Sequence, residues 1–103
     1  MQIKELAQAM HAFVLAKGWY EADSSRPQTP RSIAISLSLE SAEVLEHFQW
    51  TEQPADMEEF ASELADVTLY LLQLASLTGI DLEQVVLSKL DKNYQRSWDH
   101  KES

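Results

Sequence analysis

The chain has 103 residues, 45% of them apolar, enough for one compact domain over residues 1–103 and too few for two. Seventeen acidic against eight basic residues, a formal net charge of -9, exclude a nucleic-acid polymer or an anionic membrane as partner, because such contacts need Lys and Arg against phosphate. The absence of cysteine excludes disulfides, thiolate metal sites and a cysteine nucleophile.

The first ten residues carry Lys4 and Glu5 among apolar positions, which is not the uncharged core of a signal peptide. No run approaches the ~18 apolar residues of a membrane span. A cytoplasmic protein is the expectation. Ile3, Leu6, Met10, Phe13 and Val14 recur at three- and four-residue spacings and predict an amphipathic helix from Ile3 to Lys17, ended by Gly18. Trp19 to Thr29 is polar after its two leading aromatics and reads as a loop. Thr29-Pro30 then opens a second helix, with Thr as cap and proline at the first helical position, running to about Gln49.

Pro54 marks a short connection, and Asp56 caps a third helix from Met57 to Thr78, whose expected core stripe is Phe60, Leu64, Val67, Leu71 and Leu74. Gly79 closes it. Asp81 caps a fourth, from Leu82 to about Ser97, with Val85, Val86, Leu87 and Leu90 among its apolar positions, and Trp98 to Ser103 reads as a frayed tail. The fold class is all-α, a four-helix bundle. A domain this small leaves much of its surface uncovered, so a homodimer or homotetramer is expected.

Glu40 and Glu43 stand three apart in the second helix, and Glu63 and Asp66 repeat the spacing in the third. Residues three apart lie about 60° apart around a helix, so each pair points one way, and facing pairs can build a multi-carboxylate metal site. Glu40 follows the apolar run Ile33 to Leu39, and Glu63 and Asp66 interleave with Phe60, Leu64 and Val67. Carboxylates in a helix that is apolar nearly all round are expected to be buried and to need partners. Oxygen-only donors select a hard cation, Mg²⁺ with Mn²⁺ as a substitute. His47, four residues after Glu43, reads as a surface or interface histidine. Mg²⁺ shares its coordination with substrate phosphates, which lets an acidic protein handle a polyanion.

Glu40-Ser41-Ala42-Glu43, the run His47-Phe48-Gln49-Trp50, the Glu63-Leu64-Ala65-Asp66-Val67 segment, Thr29-Pro30-Arg31-Ser32 and Lys89 to Arg96 together resemble the MazG-like all-α nucleotide pyrophosphohydrolases, in particular small members related to the dCTP pyrophosphatases. The resemblance implies Mg²⁺-dependent hydrolysis of a nucleoside triphosphate to monophosphate and pyrophosphate, as nucleotide-pool cleaning. It implies Glu40, Glu43, Glu63 and Asp66 as metal ligands, with Glu40 or Glu43 as general base. Lys89, Asn93 and Arg96 look like the phosphate contacts, and Trp19, Trp50 and Tyr70 like the aromatics around the base. Two features depart from the pattern. Leu39 stands where many members have a further glutamate, which weakens a second metal position. The loop before Pro30 is longer, with Gln28 where some members carry histidine, which leaves base preference open. The competing reading is a non-catalytic helical oligomerisation or nucleotide-binding module, and stabilisation by divalent metal separates an inert bundle from the enzyme.

Overall fold

The structure is a computed structural model and describes residues 2–96. Those residues form four helices and no strand: α1 (Ile3–Ala16), α2 (Pro30–Glu46), α3 (Met57–Leu77) and α4 (Leu82–Gln95). Ser97 and the tail from Trp98 lie outside the described residues.

The helix starts follow the local chemistry. Thr29 Oγ1 accepts from the Ser32 N–H at 3.1 Å, Asp56 Oδ1 from the Glu59 N–H at 3.0 Å and Asp81 Oδ1 from the Gln84 N–H at 3.2 Å, each satisfying a donor that the first turn leaves orphaned. Gly18 (φ 70°) and Gly79 (φ 74°) take the left-handed conformation past α1 and α3. The Trp19 N–H reaches back to the Val14 carbonyl at 3.2 Å and the Ile80 N–H to that of Ala75 at 2.8 Å. This is the closure that a glycine at that position permits.

The second helix stops three residues before the expected Gln49. His47, Phe48 and Gln49 donate to the carbonyls of Val44, Leu45 and Glu46, so the ladder tightens from four-residue to three-residue closure and unwinds without a glycine. The resulting turn carries Phe48 onto Phe60 of α3, edge to face at 5.5 Å, a pair that contributes about 0.5–1.5 kcal/mol beyond its buried area.

Helices α2 and α3 pack along their length, α1 crosses α3, and α4 touches α1 and α3 but not α2. The buried apolar side chains among the described residues are Met10 and Val14 on α1, Ile33 on α2, and Leu72 and Ala75 on α3. Burying Ile33, only 2% exposed, is worth about 1.5–3 kcal/mol. Two expectations fail at this level. Of the α3 stripe, Leu64 and Leu71 are exposed, because the α2-facing side of α3 is centred on Phe60, Glu63, Val67 and Tyr70 instead. The run Ile33 to Leu39 is not buried all round either: Ile35 and Leu39 face solvent, as do Val85, Val86, Leu87 and Leu90 on α4. An apolar helix surface is covered only where another helix packs on it, and one chain has too few helices to cover these.

Candidate active site

Asp66 and Glu40 meet where α3 packs on α2. Glu40 stands close enough to Asp66 and to Glu43, one turn along its own helix, for both carboxyls to act on its charge. Partial burial, the Asp66 contact and the charge of Glu43, in that order, push the Glu40 carboxyl up to about 7. The site is less buried than the apolar runs suggested: Glu40 is half-buried, while Glu43 and Asp66 are exposed. What perturbs Glu40 is therefore crowding by like charge as well as loss of water.

Glu63, the fourth carboxylate, is held differently. Its Oε1 lies 2.5 Å from His47 Nε2, and the two side chains retain only 16% and 11% exposure. His47 stands edge to face against Phe60 at 5.4 Å. It is thus no free surface histidine, contrary to the expectation from sequence: the C-terminal turn of α2 swings it under α3. Glu59 completes this group, with one donor atom of each of the three within 4.8 Å of the others. The donors form two sets, Glu40 with Glu43 and Asp66, and Glu63 with His47 and Glu59. Glu43 and Glu63 line the same open groove.

Asp66 also borders a cavity of about 410 Å³ between α1, the Trp19–Pro30 loop, α2 and α3. Trp19 and Tyr70 both line it. The α1 closure at Gly18 places Trp19, whose ring packs edge to face on Phe13 at 5.5 Å and under the Arg26 guanidinium at 5.4 Å. Tyr70 follows Asp66 by one helical turn and so shares its face. Trp50 does not join them. It is 86% exposed and borders the groove beside Glu43 and Glu63, because α2 ends before it. Lys89 and Asn93 on α4 and Arg96 just past its end line neither space, and α4 touches α1 and α3 but not α2.

One part of the site carries no motif in the sequence. Gln73 is 3% exposed and lines the cavity. Its Nε2 lies 2.6 Å from Gln28 Oε1 and 3.5 Å from the Tyr20 hydroxyl. Tyr20 in turn meets His11 Nδ1 at 2.5 Å, and His11 Nε2 meets Ser76 Oγ at 2.7 Å. Burial pushes the Tyr20 phenol above its ordinary value, partly offset by the Gln73 contact. The available signal is one amide inside the apolar run Leu71-Leu72-Gln73-Leu74, seven residues after Asp66.

Residues 35–103 match the MazG-like family. Among known proteins the chain is similar to dCTP pyrophosphatase 1 of Rattus norvegicus, 35% identical over 85 residues, 74% of this chain and 50% of the relative. The same protein of Homo sapiens is 34% identical and that of Bos taurus 33%, over the same shares. The chain spans about half the length of these curated relatives.

Proposed function

The chain belongs to the MazG-like family, and from that premise we propose that it hydrolyses nucleoside triphosphates between the α and β phosphates, releasing monophosphate and pyrophosphate. The relatives named dCTP pyrophosphatase favour deoxynucleotides among its substrates. The observation that carries the proposal is Asp66 lining one cavity with Trp19 and Tyr70, with Glu40 and Glu43 crowded beside it. An anionic cluster beside an aromatic enclosure suits a ligand with a phosphate end and a base end.

The donor set fits a hard divalent cation. Apart from the His47 imidazole beside Glu63 and Glu59, its donors are carboxylate oxygens, and the upward shift of Glu40 marks charge crowding that a cation would relieve. Glu40, Glu43 and Asp66 would hold Mg²⁺, with Mn²⁺ as substitute, and Glu63, which His47 holds in the second set, would complete the ligands from across the groove it shares with Glu43. When bound, the cation neutralises the triphosphate and makes water a better nucleophile. Glu40, with its carboxyl near neutrality, is suited to hold and release a proton at the pH of turnover, which is the property a general base needs. Trp19 and Tyr70 stack on or beside the base and exclude water from it. His47 fixes the Glu63 carboxylate through Nε2, so that this oxygen donor is oriented before any ligand arrives.

Association into a dimer or tetramer would cover Leu39, Leu64, Leu71, Leu87 and Leu90, all at least 42% exposed in one chain. It would also bring Lys89, Asn93 and Arg96 of one copy toward the phosphates held by another. The test is product analysis with a panel of deoxy- and ribonucleoside triphosphates in Mg²⁺. Monophosphate and pyrophosphate in equal amounts are expected. Diphosphate and inorganic phosphate, or nucleotide bound without turnover, would overturn the assignment in favour of another bond or of a binding module.

A further inference from the structure

Gln73 is the one buried polar side chain among the described residues, and the bonds around it leave its amide only one orientation. The Arg26 backbone carbonyl can only accept, so the Gln28 atom 2.8 Å from it is the NH₂ nitrogen. The other end of Gln28 is then its oxygen, and the Gln73 atom 2.6 Å from that oxygen must be a donor. Gln73 Nε2 directs its second hydrogen at the Tyr20 hydroxyl, which leaves that hydroxyl free to donate to His11 Nδ1 and the His11 Nε2–H to donate to Ser76. Every step runs in one direction from a backbone carbonyl whose polarity cannot change. The amide groups outside these bonds are the Gln73 oxygen and the second Gln28 N–H, an acceptor next to a donor.

Both residues line the cavity. Asp66, Tyr70 and Gln73 lie on one face of α3 at intervals of four and three residues, and at 1.5 Å per residue Gln73 sits roughly 10 Å along the axis from Asp66. That is the reach of a nucleotide from its 5′ phosphate to the far edge of its base. With phosphates at the carboxylates, as proposed above, the base edge arrives at the two amides.

We infer that Gln73 is a specificity-determining residue, held by Gln28 so that its oxygen accepts from the exocyclic amino group of an amidine-edged base while the Gln28 N–H donates to the adjacent ring nitrogen. Cytosine presents that amino donor beside a ring acceptor. Uracil in the same seat would set its carbonyl oxygen against the Gln73 oxygen and its ring N–H against that of Gln28, two mismatches at unchanged size. A freely turning glutamine would read both edges by flipping. A fixed one reads only the first, because the mismatched edge leaves buried polar groups unpaired.

The inference rests on the hydrolase reading, and the test separates the two. kcat/KM is measured for dCTP and dUTP with Mg²⁺ on wild type, Gln73→Met and Gln28→Met, each checked by circular dichroism and thermal melting. Wild type is expected to favour dCTP by roughly 10- to 100-fold, the range that one two-point base contact supplies. Both variants should bring the ratio to within about threefold, chiefly by losing dCTP turnover. Gln28→Met, in the loop, keeps the test open if Gln73→Met does not fold, because it releases the amide without touching the core. Wild type active on both nucleotides without preference, or a preference that survives in the folded variants, overturns the role of Gln73 and leaves the hydrolase reading standing. Wild type that turns over neither overturns both.

Discussion

Replacing Glu40 by Gln removes the group on which the carboxylate crowding is focused. In the absence of metal the Glu40 carboxyl is pushed from 4.5 up to about 7 in the folded chain. A carboxyl with a raised folded pKa stabilises the fold at low pH, where it is protonated in both states. That contribution is lost as pH rises from about 4.5 through about 7. Each tenfold change in proton affinity between the folded and unfolded chain is worth about 1.4 kcal/mol, but the cluster borders solvent and is screened, so a net cost of about 1 kcal/mol at pH 8 is the reasonable magnitude. For a chain of this size that corresponds to about 4–8 °C in melting temperature. Melts in EDTA should therefore show Glu40→Gln above wild type by that amount at pH 8 and level with it at pH 4. In saturating Mg²⁺ the order should invert, since only wild type retains the full donor set, and turnover of the variant should fall by at least about 100-fold. A variant that melts at or below wild type at pH 8 in EDTA refutes the charge argument. One that turns over normally refutes the catalytic role.

Three further outcomes are expected. Trp19→Ala should reduce kcat/KM by about 10- to 100-fold, mainly through KM, because loss of one stacking platform costs about 1–3 kcal/mol and touches no reacting atom; steady-state kinetics on the preferred nucleotide decides it. His47→Ala should weaken Mn²⁺ binding, read by calorimetry, by about 10- to 100-fold, the usual cost of freeing an oriented ligand, while His47→Gln, which keeps a donor, should recover part of it. Mixing inactive Glu43→Gln with inactive Lys89→Ala chains should restore turnover if carboxylates and cation come from different copies. Recovery absent after confirmed subunit exchange would place both in one chain.

The helices are legible because their boundaries are written in local chemistry. Thr29-Pro30, Asp56, Asp81, Gly18 and Gly79 each set a backbone geometry or fill an orphaned hydrogen bond without help from the rest of the chain. The end of α2 has no such residue, and it falls three residues before the position that periodicity predicts. Spacing also carries the carboxylates, since residues three apart share a helix face in any tertiary context, and the contact of Glu40 with Asp66 then needs only that α2 and α3 pack. What spacing does not give is the angle between those helices. That angle turns Glu63 onto His47 and sends Trp50 to the groove rather than to the cavity with Trp19 and Tyr70.

The inference from apolar runs to burial fails for a different reason. Hydrophobic pattern records every surface that is to be covered, by whichever chain, and gives no sign of which chain covers it. Ile35 and Leu39 are 52% and 61% exposed on the helix that carries Glu40 and Glu43, and Glu43 and Asp66 are themselves exposed. Both facts have one physical resolution if a second copy packs on this surface. Its apolar side chains would cover these residues, lower the local dielectric around Glu40 and strengthen every charge interaction there. On that account Ile35→Glu, which puts a charge on this exposed apolar surface, should dissociate the assembly and lower turnover together, with sedimentation and pyrophosphate release measured on the same preparation. If Ile35→Glu leaves a monomer with undiminished turnover, each chain carries a complete site and the exposed apolar surface serves assembly alone.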